Sequence, residues 1–532
     1  MPIVTAYDTL GEAAIRHALL ATKPKLIFLD PHLIPTLAIT LKDADVRVVV
    51  YNDEHEVKND HLDELRAAHE HLEVLSFSAL VELGSKNLVA PVPPEANDLC
   101  CIMYTSGSTG NPKGVLLTHK NIVGALAGIQ AIVGPFLSPG DILMGYLPLA
   151  HIFEFMFENA SFFWGTALGY GSAKTLTDTS TRNCKGDIHE LRPTIMVGVP
   201  AIWEGIMKGV VAKVSQANIV VRSLFWAALT AKDWCAGRGL TGLAFWDAIF
   251  ARVKDATGGR LRVIANGAGP VSQSTQRFLS LAITPMLSGY GLTEGSGMGA
   301  LTSPYRWNDK AAGDIPASIE VKLVDFPEAG YFSSSTPPQG EVWLRGHSVT
   351  SGYFQDEEGT ARAFKDGWFK TGDIGEFDSH GHLRIIDRMK NLVKTQNGEY
   401  IAMEKLESIY RTAPIVSSIC VFASIDQNRP IALLVPAEPA LEALAKTNGL
   451  SIPSNLMELR DDPKMHDLAF KEVLAAGKRG GLGGIEMLAG IVMVHEGWTP
   501  QTGFVTSAMK LQRRKMADHY KKDIDRAYAR SR

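Results

Sequence analysis

Residues 99–114 constrain this chain more than any other stretch. Leu99-Cys-Cys-Ile-Met-Tyr104 is apolar and reads as a buried strand, and it runs directly into Thr105-Ser-Gly-Ser-Thr-Gly-Asn-Pro-Lys-Gly114. Gly107, Gly110 and Gly114 let the backbone approach an anion closely. Backbone N–H groups and the hydroxyls of Thr105, Ser106, Ser108 and Thr109 can donate to phosphate oxygens, and Lys113 adds a positive charge. No Gly-Lys-Ser/Thr closes the loop at Walker A spacing, so it is a phosphate cradle of another kind. A merely flexible turn would need neither this length nor the Pro-Lys-Gly ending.

The surroundings fit a layered α/β architecture. Lys25-Leu-Ile-Phe-Leu29 and Val46-Arg-Val-Val-Val-Tyr51 read as buried strands on either side of a helix over 34–42. This βαβ rhythm predicts a parallel sheet with helices on its faces. Tyr146-Leu-Pro-Leu149, Thr194–Pro200 and Leu261–Ala265 read as further strands, each entering a loop of small or polar residues. Open α/β sheets bind ligands beyond the carboxyl ends of their strands, so these loops are where a site is expected. From about 315 to 388 the character changes. Ser333-Ser-Ser-Thr-Pro-Pro338 is a turn cluster, and the alternation in Glu341-Val-Trp-Leu-Arg345 predicts antiparallel β structure. A basic stretch over 388–394 then follows the strand Leu383-Arg-Ile-Ile386. The expected fold is α/β: a large N-terminal domain over 1–388, with parallel-rich sheets and a β-rich part over about 315–388, and a small α+β C-terminal domain over 389–532.

Composition removes several alternatives. A chain of 532 residues is long enough for more than one domain. Lys and Arg total 53 against 57 Asp and Glu, a net charge of −4, which does not suit a protein that coats nucleic acid. The five cysteines include no CxxC, so a reducing compartment is expected and a disulfide framework or zinc site is not. Met1–Leu20 carries Asp, Glu and Arg among its apolar residues and does not resemble a secretory signal. The most apolar run, Ala125–Leu137, contains Gln130 and Pro135, so no spanning helix is expected. Residues 222–254 are rich in aromatics (Phe225, Trp226, Trp234, Phe245, Trp246, Phe250). They fit amphipathic helices packed on a core, and alternatively a surface that meets a membrane or an apolar substrate.

Thr105–Gly114 resembles the phosphate loop of the adenylate-forming enzymes: acyl-CoA synthetases, luciferases and peptide-synthetase adenylation domains. Further motifs resemble that superfamily in its own order. Gly289-Tyr-Gly-Leu-Thr-Glu294 is similar to its second core motif, Lys370-Thr-Gly-Asp373 to its ribose motif, and Asp387-Arg-Met-Lys-Asn391 to its interdomain hinge. Gly503-Phe-Val-Thr-Ser-Ala-Met-Lys-Leu-Gln-Arg513 resembles its catalytic-lysine motif. Asp366–Lys390 resembles the fatty-acyl-CoA synthetase signature, and Lys394–Lys405 the long-chain acyl-CoA synthetases. Trp498-Thr-Pro500 and Lys510-Leu-Gln-Arg-Arg514 look like the fungal branch.

The resemblance implies a large adenylating domain with a C-terminal lid and a two-step reaction. A long-chain fatty acid attacks the α-phosphate of ATP to give acyl-AMP and pyrophosphate, and coenzyme A thiolate then displaces AMP. It implies that Thr105, Ser106, Gly107, Ser108, Thr109, Gly110 and Lys113 hold the β- and γ-phosphates. Thr293 would contact the α-phosphate and Glu294 would help hold Mg²⁺, a hard cation suited to oxygen ligands. Tyr290, between Gly289 and Gly291, would stack on adenine opposite Gly267 and Ala268 of the Asn266-Gly-Ala-Gly-Pro270 segment. Asp373 and Arg388 would reach the ribose. Lys510 would approach the carboxylate and α-phosphate as a compact charge. His151, in Pro148-Leu-Ala-His-Ile-Phe-Glu154, would shape the acyl site without acting as a base. Lys390 would be the hinge about which the lid rotates between half-reactions. Arg513, Arg514 and Lys515 lie in a basic tail read as a solvated surface, although such a run could attract coenzyme A phosphates. The implied partners are ATP, a long-chain fatty acid and coenzyme A, with no nucleic acid. Peripheral contact with an endoplasmic reticulum, lipid-droplet or peroxisome membrane is expected, and a cytoplasmic location otherwise.

Two features depart from the family pattern. The lysine motif reads Thr506-Ser-Ala-Met-Lys510 in place of the commoner Thr-Pro-Thr-Phe-Lys, with the lysine itself retained. Val4–Ala14 resembles a segment well inside the family's N-terminal domain, so the start of that domain is expected to be missing. Two further readings therefore stand beside the active ligase: a catalytically impaired relative that binds nucleotide or acyl groups, and an adenylating ligase for another carboxylic acid.

Overall fold

The computed structural model describes residues 2–5, 11–105, 112–178, 180–236, 248–396, 399–453, 456–506 and 509–530. The segments Leu26–Leu29, Val48–Tyr51 and Glu73–Ser76 pair as a three-stranded parallel sheet, with helix Ile34–Thr40 in the first crossover. A second sheet has six strands in the order Ala300–Leu301, Met286–Tyr290, Val263–Asn266, Ile195–Gly198, Ile142–Gly145, Ala167–Tyr170. All its pairings are parallel except that of the short Ala300–Leu301 edge. Its central strands are buried on both faces, which is why they read as unbroken apolar runs. At the carboxyl ends of three neighbours, Val199, Asn266 and Tyr290 line one cleft.

Residues 319–388 form the antiparallel sheet expected there, built on Gln339–Gly346, Trp368–Phe377 and Leu383–Arg388. Beyond it, Val416–Phe422, Ile431–Pro436 and Gly490–Met493 form another sheet packed by helices such as Pro463–Arg479. The apolar cluster around Leu406, Tyr410, Leu434 and Val473 draws all its members from residues after 392, so this segment has a core of its own.

Strand Leu99–Thr105 forms where it was expected and pairs antiparallel with Lys113–Thr118. The structure corrects two local readings. The strand placed at Tyr146–Leu149 is Ile142–Gly145 instead; Tyr146 follows its end, and Pro148 has no N–H to pair. The basic tail is not simply solvated. Arg513 grips Glu407 through its two terminal guanidinium nitrogens at 2.6 and 3.1 Å and also donates to the Val421 carbonyl at 2.6 Å. Glu407 is 3% exposed, so removing its partner strands a buried carboxylate. Arg513→Ala is expected to lower stability by about 3 kcal/mol, the cost of breaking a buried ion pair, read as a fall in Tm. A wild-type melting curve would refute that role.

The aromatic stretch divides between core and surface. Phe225 and Phe250 are buried with ring centroids 5.3 Å apart, whereas Trp226 and Trp234 on helix Ile219–Ala236 remain exposed, with Ile219, Val220 and Leu224 beside them. Phe245 and Trp246 lie outside the described residues. No helix among the described residues is long and apolar enough to cross a membrane.

Candidate functional site

A cleft of about 2340 Å³ runs between the carboxyl ends of the six-stranded sheet, the antiparallel sheet and the C-terminal segment. Ordinary small-molecule sites occupy about 300–1,000 Å³, so this one has room for a nucleotide and a second substrate. Thr105, Lys113, His151, Ala268, Gly289, Tyr290, Gly291, Thr293, Glu294, Asp373, Arg388, Lys390 and Lys510 all line it. Residues separated by most of the chain are thus brought to one surface. Ser106, Gly107, Ser108, Thr109 and Gly110 lie outside the described residues.

Sheet register builds one wall. Asp373 and Arg388 are cross-strand partners, and Arg388 Nε lies 3.5 Å from Asp373 Oδ1. Tyr290, at the end of its parallel strand, donates its hydroxyl to Asp373 Oδ2 at 2.7 Å. Asp373 is 5% exposed; burial pushes its carboxyl up, while Arg388 and the Tyr290 hydroxyl pull it back. Gly291 is required where it stands, because a Cβ there would meet the Gly297 backbone. Gly267 lies under the Phe153 ring, and Ala268 adopts a left-handed φ of 65°, strain of about 1–3 kcal/mol that the surrounding fold sustains.

The opposite wall carries Lys510. Its neighbour Leu511 bridges Val505, and its own backbone N–H donates to Thr506 Oγ1 at 3.1 Å. Burial and the Arg388 charge bring its ammonium down to about 8, with Glu404, Asp373 and Glu294 opposing them. Lys390 is pushed down by the same two causes. Arg388, Lys390 and Lys510 therefore form a cationic cluster balanced by Glu404, whose Oε1 accepts from Asn391 at 2.7 Å and whose N–H donates to Asp387 at 3.1 Å. Burial and Glu404 raise the Asp387 carboxyl to about 7.

Thr293 and Glu294 occupy a short 3₁₀ turn at the cleft floor. Glu294 Oε1 accepts from the Tyr353 hydroxyl at 2.9 Å. His151 caps helix Ile152–Trp164, its Nδ1 accepting from Phe153 N–H at 3.1 Å. Burial and the charge of Lys510 depress its pKa to about 3, so the ring stays neutral. One turn on, Glu154 is fully buried and accepts from Tyr146 N–H, and burial with the nearby Glu158 carboxylate raises its pKa to about 8. Sequence reasoning did not single out Tyr353, Glu404 or Glu154. The latter two lie in quoted motifs; Tyr353 has no local signal.

Parallel strands whose ends meet an antiparallel wall, facing a lysine carried by a C-terminal segment, form the framework of an adenylate-forming enzyme. Solved structures agree on the fold. The adenylation domain of a carboxylate reductase from Mycobacterium chelonae superposes with a TM-score of 0.79 at 23% identity, over 99% of this chain and 76% of that one. The AMP-binding enzyme family matches residues 1–354. A long-chain-fatty-acid–CoA ligase of Schizosaccharomyces pombe is 45% identical, covering 99% of this chain and 78% of its own. The palmitoyl-CoA ligase FUM16 of Gibberella moniliformis is 43% identical with the same coverage, and a long-chain-fatty-acid–CoA ligase of Saccharomyces cerevisiae is 42% identical over all of this chain and 79% of its own. The chain belongs to the AMP-binding enzyme family, on its long-chain-fatty-acid–CoA ligase branch.

Proposed function

We propose that this chain converts long-chain fatty acids to acyl-CoA through an acyl-AMP intermediate, releasing pyrophosphate and then AMP. The observation that carries the reading is the convergence of Lys510, Arg388, Asp373, Thr293 and Glu294 on one cleft. Joining a carboxylate to a triphosphate sets like charges together, and aimed cations offset that repulsion. Lys510 and Lys113 supply them. Asp373 offers acceptor oxygens to a vicinal diol, with Arg388 beside it. The neutral His151 shapes the acyl end, since an ionised acid needs no base. Fatty-acid-dependent exchange of pyrophosphate into ATP tests the first step, and thioester formation across a panel of alkanoic and aryl acids tests the substrate class. ATP binding with no exchange for any acid would leave only a binding protein.

The donor set fits Mg²⁺ as a partner of bound ATP. Among the described residues no cluster of three or more His, Cys, Asp or Glu could cage a metal, whereas the Glu294 carboxylate lines the cleft beside Thr293. Mg²⁺ is held in just this way elsewhere, by one or two carboxylates together with substrate phosphates. When bound it would offset triphosphate charge; Glu294 would help hold it, beside the α-phosphate that Thr293 would contact.

The same proposal places a lid at 389–532 that rotates about Lys390. The present arrangement is held by polar contacts between helix Pro200–Gln216 and the C-terminal segment. Lys208 donates to the Val416 carbonyl at 2.6 Å, and Arg411 lies 3.6 Å from Glu204, which is 3% exposed. Lys510 is then in the cleft, as adenylation requires, and must leave to admit a thiol. Lys390→Pro, which stiffens the backbone at the turn, is expected to keep acid-dependent pyrophosphate exchange and lose thioester formation by more than about tenfold. Equal loss of both half-reactions would refute the hinge. The exposed Ile219, Val220, Leu224 and Trp226 favour peripheral membrane contact; a chain that stays in the supernatant on vesicle sedimentation would exclude it.

A further inference from the structure

Neither the motifs nor the reaction scheme gives Tyr353 a task, yet it touches two functional groups at once. We infer that Tyr353 is a positioning residue that ties the phosphate-loop lysine, Lys113, to the cation-side carboxylate, Glu294. The inference rests on the ATP-activating reading above and adds a residue to it.

The backbone argument comes first. Tyr353 bridges Val115 in antiparallel fashion, Leu116 N–H donates to the Gly352 carbonyl at 3.1 Å, and Phe354 N–H donates to the Gly114 carbonyl at 2.7 Å. The Thr350 hydroxyl donates to the Leu116 carbonyl. Residues 350–354 are thereby stitched to the strand that leaves the phosphate loop. On their other side Thr350 N–H donates to the Glu294 carbonyl at 2.7 Å, and Ser296 Oγ to the Ser348 carbonyl at 2.8 Å. The segment is a spacer clamped between the two parts of the site.

The side chain completes the link. The Tyr353 hydroxyl donates to Glu294 Oε1 at 2.9 Å, and the Lys113 ammonium stands over its ring, 4.5 Å from the centroid. Tyr353 is buried, and its phenol hydroxyl is the donor in this pair because a carboxylate only accepts. A hydrogen bond into one carboxylate oxygen fixes the rotamer and directs the other oxygen, which reduces the ordering that cation binding would otherwise require. An aromatic face attracts an ammonium without neutralising it, so Lys113 keeps its whole charge for phosphate. Asp356, 4.0 Å from Lys113 Nζ, is the one carboxylate paired with it among the described residues.

Two substitutions separate the two contacts. Equilibrium binding of ATP is measured by calorimetry on the full chain, once in EDTA and once with Mg²⁺. Tyr353→Phe keeps the ring and loses the donor. Its affinity in EDTA is expected to match wild type, while the gain on adding Mg²⁺ shrinks by about tenfold, the factor carried by one hydrogen bond to a charged group. Tyr353→Leu removes both contacts and is expected to bind ATP about fivefold more weakly even in EDTA. A full Mg²⁺ gain in Tyr353→Phe, or equal affinities of the two variants in EDTA, would overturn the assignment. Tyr353→Phe decides the carboxylate half alone if the leucine variant gives no cooperative melt, because it preserves the packing. Wild type that binds no ATP in either buffer would overturn the parent reading as well, a result distinct from normal wild-type binding with unaffected variants.

Discussion

Lys510→Ala is expected to slow acyl-AMP formation by about a thousandfold, the upper range for removing one aimed donor from a charge-developing site. Thioester formation from supplied acyl-AMP and coenzyme A is expected to survive, because the lysine would have left the cleft by then. Single-turnover assays of each half-reaction check this, and comparable loss in both would show that Lys510 has a structural or shared role. The pH dependence has a definite sign. Burial and Arg388 bring the Lys510 ammonium down to about 8, so it is charged below that pH and neutral above it. Adenylation in the wild type should fall as pH rises through about 8, with bound polyphosphate moving the fall upward. Lys510→Arg stays charged and should lack that fall, at whatever rate its larger head group permits. A decline shared by both proteins would assign the titration to another group.

Asp373→Ala is expected to raise the KM for ATP by about a hundredfold. A carboxylate that accepts from both hydroxyls of a vicinal diol makes two charge-assisted hydrogen bonds, together ~3 kcal/mol. The substitution also strips Tyr290 of its 2.7 Å acceptor and Arg388 of its ion partner. Asp373→Asn retains an acceptor and should lose less. Binding of AMP measured by calorimetry, with a melting curve alongside, separates lost recognition from lost packing. A well-folded Asp373→Ala protein that binds AMP like wild type would remove Asp373 from the nucleotide site.

Much of this was legible locally. The strand at 99–104, the strands near 26, 48 and 195 and the antiparallel character after 315 all follow from side-chain periodicity and turn chemistry, and they reappear within a few residues of their expected bounds. The motifs around Tyr290, Glu294, Asp373, Arg388 and Lys510 were legible because each combines an unusual glycine or charge pattern with an ordered place in the chain. Strand ends were less so: Pro148 ends the pairing that the apolar run at Tyr146 suggested. Arg513 looked like surface because a basic run carries no sign of the Glu407 that waits for it in another helix.

By itself, then, the sequence determined which chemical groups are present, their order along the chain and the kind of local element that carries each. The hydrophobic period and the glycine and proline positions act within a few residues, and that is the range of what they specify. Only the tertiary structure decided which groups meet. Tyr353 reaches Glu294 because residues 350–354 pair with the strand beginning at Lys113, and Asp373 faces Arg388 because two antiparallel strands share a register. Such contacts are made by backbone pairing between distant segments, which side-chain pattern in either segment alone does not encode.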